Sequence, residues 1–190
     1  MHCSLDFRTL IPKPFVAYYP ALVSQSEIEE SVSVLEYKSW RRTVVGPPRK
    51  TEPLQKRANY DPSSPRTLSS FGATTRRPLG DIALARSGDK GANVNGGIFV
   101  QTAEEWEWLR SFMTRDRLRQ LMGRDWRDEF YTERVEFPNI KAVHFVVYGL
   151  LGRGVSSSRL LDSLGKGFAE FIRARHVDIP VKFLGETAKL

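Results

Sequence analysis

With 190 residues, 41% of them hydrophobic and 11% aromatic, the chain has enough apolar material for one good core, with or without an appendage. Its one cysteine, Cys3, excludes an internal disulfide and a cysteine-built zinc cluster and fits a reducing compartment; no apolar run approaches a membrane span, and Asp6, Arg8 and Lys13 interrupt any secretory-type segment. The net charge of +7 is uneven, with 12 Lys+Arg against 7 Asp+Glu in residues 1–78 and 17 against 15 in residues 79–190, so the excess lies as scattered pairs such as Arg41-Arg42 and Arg76-Arg77 rather than as a nucleic-acid-binding stripe.

Nine of the eleven prolines fall in residues 1–78, where Pro47-Pro48, Pro53, Pro62 and Pro65 break any long helix or central strand. Gln25 to Tyr37 alternates weakly and reads as a helix leading into a strand. Residues 46–78 read as an extended linker. Order improves from Leu79. Leu79 to Arg86 and Val94 to Val100 read as strands on either side of a glycine loop. Thr102 with Glu105 is a capping-box signal for a helix carrying Trp106, Leu109 and Met113 on one face. Thr114 caps a second helix with Leu118, Leu121 and Met122, ended by Gly123. Tyr131 to Phe137 alternates, with Tyr131, Val135 and Phe137 on one side and Thr132, Arg134 and Glu136 on the other. Pro138-Asn139 turns the chain into a second strand, Ala142 to Tyr148. A glycine- and serine-rich stretch, Gly149 to Ser158, precedes a helix expected over Arg159 to Arg175, its stripe Leu160, Leu161, Leu164, Phe168, Phe171 and Ile172. Gly165 and Gly167 inside that helix suggest close packing or a close ligand. The pattern, strand-strand-helix twice over, predicts an α+β two-layer sandwich: a mostly antiparallel sheet with helices on one face, plus an irregular N-terminal segment. The expected domains are an irregular lead at 1–78, a folded domain at 79–184 and a tail at 185–190.

Arg86, Ser87, Gly88, Asp89, Lys90, Gly91 and Asn93 form the first candidate site. They offer glycine-rich backbone, a hydroxyl and two cations, the materials of an anion clamp. The same residues also serve as a tight connection in which the glycines permit positive φ and Asp89 and Asn93 satisfy loop backbone. Arg153, Gly154 and Ser156 precede the expected third helix, whose N-terminus would favour a carboxylate or phosphate; the alternative is a flexible loop before a capped helix. Lys166 stands four residues after Asp162, as a surface ion pair or as a further cation for the first loop. His144 lies opposite Val143, Phe145 and Val147 in its strand and has no visible partner, so it is not taken as a catalyst. His2, His144 and His176 share no metal-ligand spacing, no cofactor motif is present, and no cofactor is expected.

Arg86-Ser-Gly-Asp-Lys-Gly91 with Asn93, followed in order by Phe137-Pro-Asn-Ile-Lys-Ala-Val-His-Phe145, Leu151-Gly-Arg-Gly-Val-Ser156 and Asp162-Ser-Leu-Gly-Lys166, resembles the AtuA-like family linked to acyclic terpene utilisation. The resemblance covers residues 79 to 182, the family's small C-terminal ferredoxin-like domain. Phe15 to Leu22 and Pro53 to Thr75 resemble the end of the preceding region in fungal members, whose large N-terminal domain this sequence does not contain. The family pattern often has Asn at the place of His144. The resemblance implies a ferredoxin-like fold and tilts the first site toward an anion clamp. It further implies binding or accessory work in the metabolism of branched, isoprenoid or acyl-CoA-type acids. Two alternatives stay open: an enzyme of that pathway with a shared active site, and a structural or interaction protein of fungal secondary metabolism. Expected partners are an acidic small molecule or acyl-CoA and either a second copy or a separate protein. The ending Ala188-Lys189-Leu190 is a close variant of the peroxisomal Ser-Lys-Leu address, so import into peroxisomes is expected in a eukaryotic host, with the cytoplasm as the alternative.

Overall fold

The computed structural model describes residues 11, 12, 14, 21–53, 55–155 and 157–185. It divides into two compact units, one of Tyr19–Arg57 and one built on Ala58–Leu190. In the smaller unit a single 3-10 turn, Gln25–Glu27, leads into an antiparallel hairpin of β1 (Glu30–Glu36) and β2 (Ser39–Val45), with Glu30 opposite Val45 and Glu36 opposite Ser39. The expected helix is only that turn, and β2 is a strand the sequence reading did not foresee.

The larger unit runs through β3 (Thr74–Pro78), β4 (Leu84–Lys90), β5 (Asn93–Phe99), α1 (Ala103–Phe112), α2 (Arg115–Met122), β6 (Tyr131–Phe137), β7 (Ala142–Tyr148), α3 (Phe168–Arg173) and β8 (His176–Pro180). Two hairpins, β4–β5 and β6–β7, lie side by side in a four-stranded sheet of order β4-β5-β7-β6, every neighbour antiparallel. β3 and β8 pair antiparallel as a separate ribbon. The helices lie on one face of the sheet, giving the expected α+β sandwich of the ferredoxin-like class. The connectivity is hairpin, two helices, hairpin, helix rather than a split βαβ.

Pleating decides which side chains meet the helices. Val94, Gly96 and Ile98 of β5 and Val143, Phe145 and Val147 of β7 share one face with Ser87 of β4 and with Thr132 and Arg134 of β6. Against them pack Trp108, Leu109 and Phe112 of α1, Leu118 and Met122 of α2, and Phe168 and Ile172 of α3. Trp108 and Phe112 stack at 4.6 Å between ring centroids.

The alternation in β6 is as the sequence predicts, but its polar side faces inward. Arg134 is fully buried. Its guanidinium donates to the Met113 carbonyl (2.7 Å), the Tyr60 carbonyl (2.9 Å), the Arg110 carbonyl (2.9 Å) and Glu136 Oε1 (2.9 Å). Arg110 and Met113 stand at the carbonyl end of α1, where the helix dipole favours a cation. One buried charge thus ends a helix and anchors the segment before β3. That segment, read as linker, packs on the unit: Asp61 accepts from the Arg115 backbone N–H and side chain at 2.9 Å, and Phe71 is buried.

Helix starts follow their caps. Thr102 and Glu105 form the reciprocal capping box of α1, and Thr114 accepts from the Arg117 N–H to open α2. The helix expected over 159–175 is only α3, six residues long. Gly165 sits at φ +59, outside helical backbone, and Asp162 accepts from the N–H groups of Lys166 and Gly167 at 2.9 Å, a local turn that competes with a helix. Ser158 accepts from the Leu160 N–H instead of capping a helix. The proposed stripe is broken accordingly, with Leu160, Leu161 and Leu164 exposed.

Candidate anion site on the helix-free face of the sheet

The segment read as a loop at 86–91 is mostly strand. β4 continues to Lys90, and only Gly91-Ala92 turns the chain before Asn93 pairs with Lys90. Gly91, at φ +65, takes the first turn position, the place where a II′ hairpin favours glycine. Because β4 is pleated, the candidate residues fall on opposite faces. Ser87 faces the core, where its Oγ accepts from the Ala169 N–H (2.9 Å) and donates to the Lys166 carbonyl (3.2 Å), and so positions the start of α3. Asp89 alternates to the same side as Ser87. Asn93 uses its side-chain oxygen to accept the Gly149 N–H at 3.0 Å. Ser87 and Asn93 thus serve the structure.

Arg86, Gly88 and Lys90 fall on the other face, which carries none of the three helices. Across it lie Gly97 and Asn95 of β5 and His144 of β7, in register with Arg86, Gly88 and Gly97 respectively. Lys166 joins them from a distant point in the chain. A Cβ built on Gly165 would lie 2.6 Å from Val94 Cγ2 on the core side, whereas a Cβ on Gly88 would lie 3.3 Å from Lys166 Nζ and 3.9 Å from Asn95 Oδ1. The chain therefore rounds the β4 edge at Gly165, and the Lys166 ammonium reaches back over Gly88. The missing side chains at Gly88 and Gly97 leave a floor ringed by Arg86, Lys90, Lys166, Asn95 and His144. Asn95 Nδ2 lies 3.4 Å from His144 Nε2, a contact in which the amide donates and the ring nitrogen accepts. Burial, with a smaller push from the Lys90 ammonium, holds the His144 imidazole below its ordinary value of 6.5. At neutral pH the ring is thus uncharged, and the positive charge here comes from Arg86, Lys90 and Lys166. Among the described residues none of these three has a carboxylate within ion-pair distance; Lys90 Nζ donates to the Asp89 carbonyl at 2.9 Å.

The second candidate loop docks on the hairpin tip. The Leu151 N–H donates to the Ala92 carbonyl at 2.9 Å, and a Cβ on Gly154 would lie 3.2 Å from the Gly91 carbonyl oxygen. The Gly154 backbone therefore approaches the Gly91 backbone closely, with little room for a side chain at 154. Arg153 is exposed beside them, and Ser156 lies outside the described residues. No helix begins at Arg159, so the helix-terminus argument for this loop does not hold. Of the two readings of Asp162 and Lys166, the surface pair is not formed: Asp162 accepts from backbone, and the Lys166 ammonium is on the far side of β4 beside the first candidate residues. Sequence reasoning missed Asn95 and set His144 aside; period-two alternation along β5 would have put Asn95 on the same face as Gly97, whereas His144 joins them only through the pairing of β7 with β5. Among the described residues no cluster of His, Cys, Asp and Glu could hold a metal ion, and no helix is long and apolar enough to cross a membrane.

The fold and this site define a two-layer ferredoxin-like α+β domain with a cationic, glycine-floored patch. The model of the AtuA ferredoxin-like domain family matches residues 77–178, more than half of the chain. The chain belongs to the AtuA ferredoxin-like domain family. Neither curated proteins nor solved structures gave a match.

Proposed function

We propose that the domain binds an anionic small molecule, a carboxylate or acyl-CoA-type acid, on the helix-free face of its sheet, in an accessory role in the metabolism of acyclic terpene or branched acyl-CoA-type acids. The observation that supports this reading is the convergence of Arg86, Lys90 and Lys166 on a floor made by Gly88 and Gly97, with Asn95 and a neutral His144 beside it. Three cations without carboxylate partners among the described residues suit a carboxylate or phosphate better than a neutral ligand. The test is calorimetric titration of a branched acyl-CoA and of the matching free acid into the wild type, Arg86→Ala and Lys166→Ala. Each variant should weaken binding about tenfold, the worth of one charge-assisted contact. Equal affinity in all three proteins would end the proposal.

The same face supports a reading that the domain works with a second protein or a second copy. Leu84, Tyr131 and Phe137 are exposed on it, at the rim of the cationic patch. Sedimentation of the wild type against Leu84→Glu tests this: a single monomeric species in both proteins at working concentration would oppose it. The peroxisomal address read at Ala188-Lys189-Leu190 lies outside the described residues and is kept as a proposal. A fluorescent protein fused ahead of the chain should mark peroxisomes and lose them when those three residues are removed; a diffuse intact fusion would reject it.

A further inference from the structure

A cleft lies elsewhere in the larger unit, between the β3–β8 ribbon and the helices α1 and α2. Its volume is about 1030 Å³. That is the size of a site for a nucleotide or larger organic ligand rather than for a lone ion. Arg76, Arg117, Arg124 and Arg175 line it, against two aspartates, Asp125 and Asp178. The ion pairs available are long: Arg76 to Asp178 at 3.8 Å and Arg175 to Asp125 at 3.9 Å, both beyond hydrogen-bonding distance. The Arg175 Nε is buried and has no hydrogen-bond partner among the described residues. Two of the guanidiniums are held in place by rings, Arg117 over Phe112 at 4.7 Å and Arg175 over Phe171 at 4.0 Å. Stacking fixes the plane of a guanidinium while leaving its fork of N–H groups free. The carbonyl end of α2 at Gly123 opposes an anion with roughly half a charge. Four guanidiniums less two carboxylates and that half charge still leave the cleft clearly positive.

We infer that this cleft binds a phosphorylated organic molecule of nucleotide size, its phosphates taken by Arg117, Arg124 and Arg175 and its apolar body lying against Leu68 and Phe171. Arginine forks match phosphate oxygens two at a time, which single lysines cannot do. The inference is independent of the patch around Gly88, which uses other residues on the opposite side of the sheet.

The experiment titrates ATP, ADP and inorganic phosphate into the full chain and follows heat and melting temperature. ATP or ADP should bind at least tenfold more tightly than inorganic phosphate. Arg117→Ala and Arg124→Ala should each weaken that binding about tenfold, whereas Arg86→Ala should leave it unchanged. Arg175→Lys, which keeps the charge but removes the fork, should also weaken it. Arg124 is exposed, so its variant decides the matter if an Arg175 variant fails to fold. No binding of either nucleotide at millimolar concentration, or affinities no better than phosphate's, would overturn the inference. So would binding that falls in Arg86→Ala and not in Arg124→Ala, which would assign the nucleotide to the helix-free face instead.

Discussion

Arg134 shows how much can rest on one side chain. Fully buried, it is satisfied by three carbonyls and Glu136. Removing one partner of such an arrangement leaves the others desolvated and unpaired, a loss of about 3–5 kcal/mol. Arg134→Ala should lower stability by that amount in urea denaturation, and a change below 1 kcal/mol would show that the carbonyls find other partners. Gly165 is fixed by two independent constraints, φ +59 and the 2.6 Å approach its Cβ would make to Val94 Cγ2. Gly165→Ala should therefore cost about 2–4 kcal/mol, the sum of left-handed strain and overpacking. Adding Val94→Ala should recover part of the loss, a non-additivity that a double-mutant cycle measures.

His144 supplies the pH dependence at this scale. Its proton is held less tightly in the folded protein than in the unfolded chain. Its share of stability is then intact above the ordinary value of 6.5 and is lost as pH falls from there through the lowered folded value. In His144→Asn that acid-side loss should shrink in melts taken across the window. A bound anion would favour the protonated ring, so affinity at the patch should rise as pH falls below 6.5 in the wild type and stay flatter in His144→Asn.

At the scale of elements, α3 depends on a residue far away in the chain. Its start is hydrogen-bonded to Ser87 Oγ, which accepts from the Ala169 N–H at 2.9 Å and donates to the Lys166 carbonyl at 3.2 Å. Ser87→Ala should cost about 1–2 kcal/mol, the loss expected when helix-start donors lose a side-chain cap. Because Lys166 is attached to the same turn, the variant should also weaken anion binding without touching the anion, whereas Thr102→Ala, which removes the cap of α1, should lower stability alone. Equal affinity in the Ser87 variant would mean that Lys166 reaches the patch without help from β4.

For the whole molecule, the family match begins at Arg77, but the continuous stretch of the larger unit that contains it begins at Ala58. The difference matters physically. Tyr60 supplies a carbonyl to Arg134, Asp61 holds the start of α2, and Phe71 is 1% exposed within the core. A chain starting at Ala58 should fold cooperatively, and one starting at Arg77 should melt far lower or not fold. Loss of Phe71 alone is worth about 3–5 kcal/mol, a large part of a small domain's stability. Comparable melting of the two chains would show that the strap is dispensable.

What the sequence determined by itself was local. Thr102 with Glu105, Thr114 before Leu118, and Gly123 mark helix ends through bonds within four residues, and the structure shows α1 and α2 there. The period-two alternation of 131–137 and 142–148 likewise marks β6 and β7, because pleating is a property of each strand alone. The tertiary structure decided the rest. Only strand pairing determined that the polar side of β6 faces the core, that Asn95 and His144 stand beside Arg86, and that Ser87 faces away from it. The apolar stripe of 159–175 is spaced for a helix, yet a left-handed Gly165 pressed against Val94 and the Asp162 turn confine the helix to its last third. The choice between those outcomes rests on contacts about eighty residues apart, such as Ser87 with Ala169 and Gly88 with Lys166, and periodicity along the chain carries no trace of them.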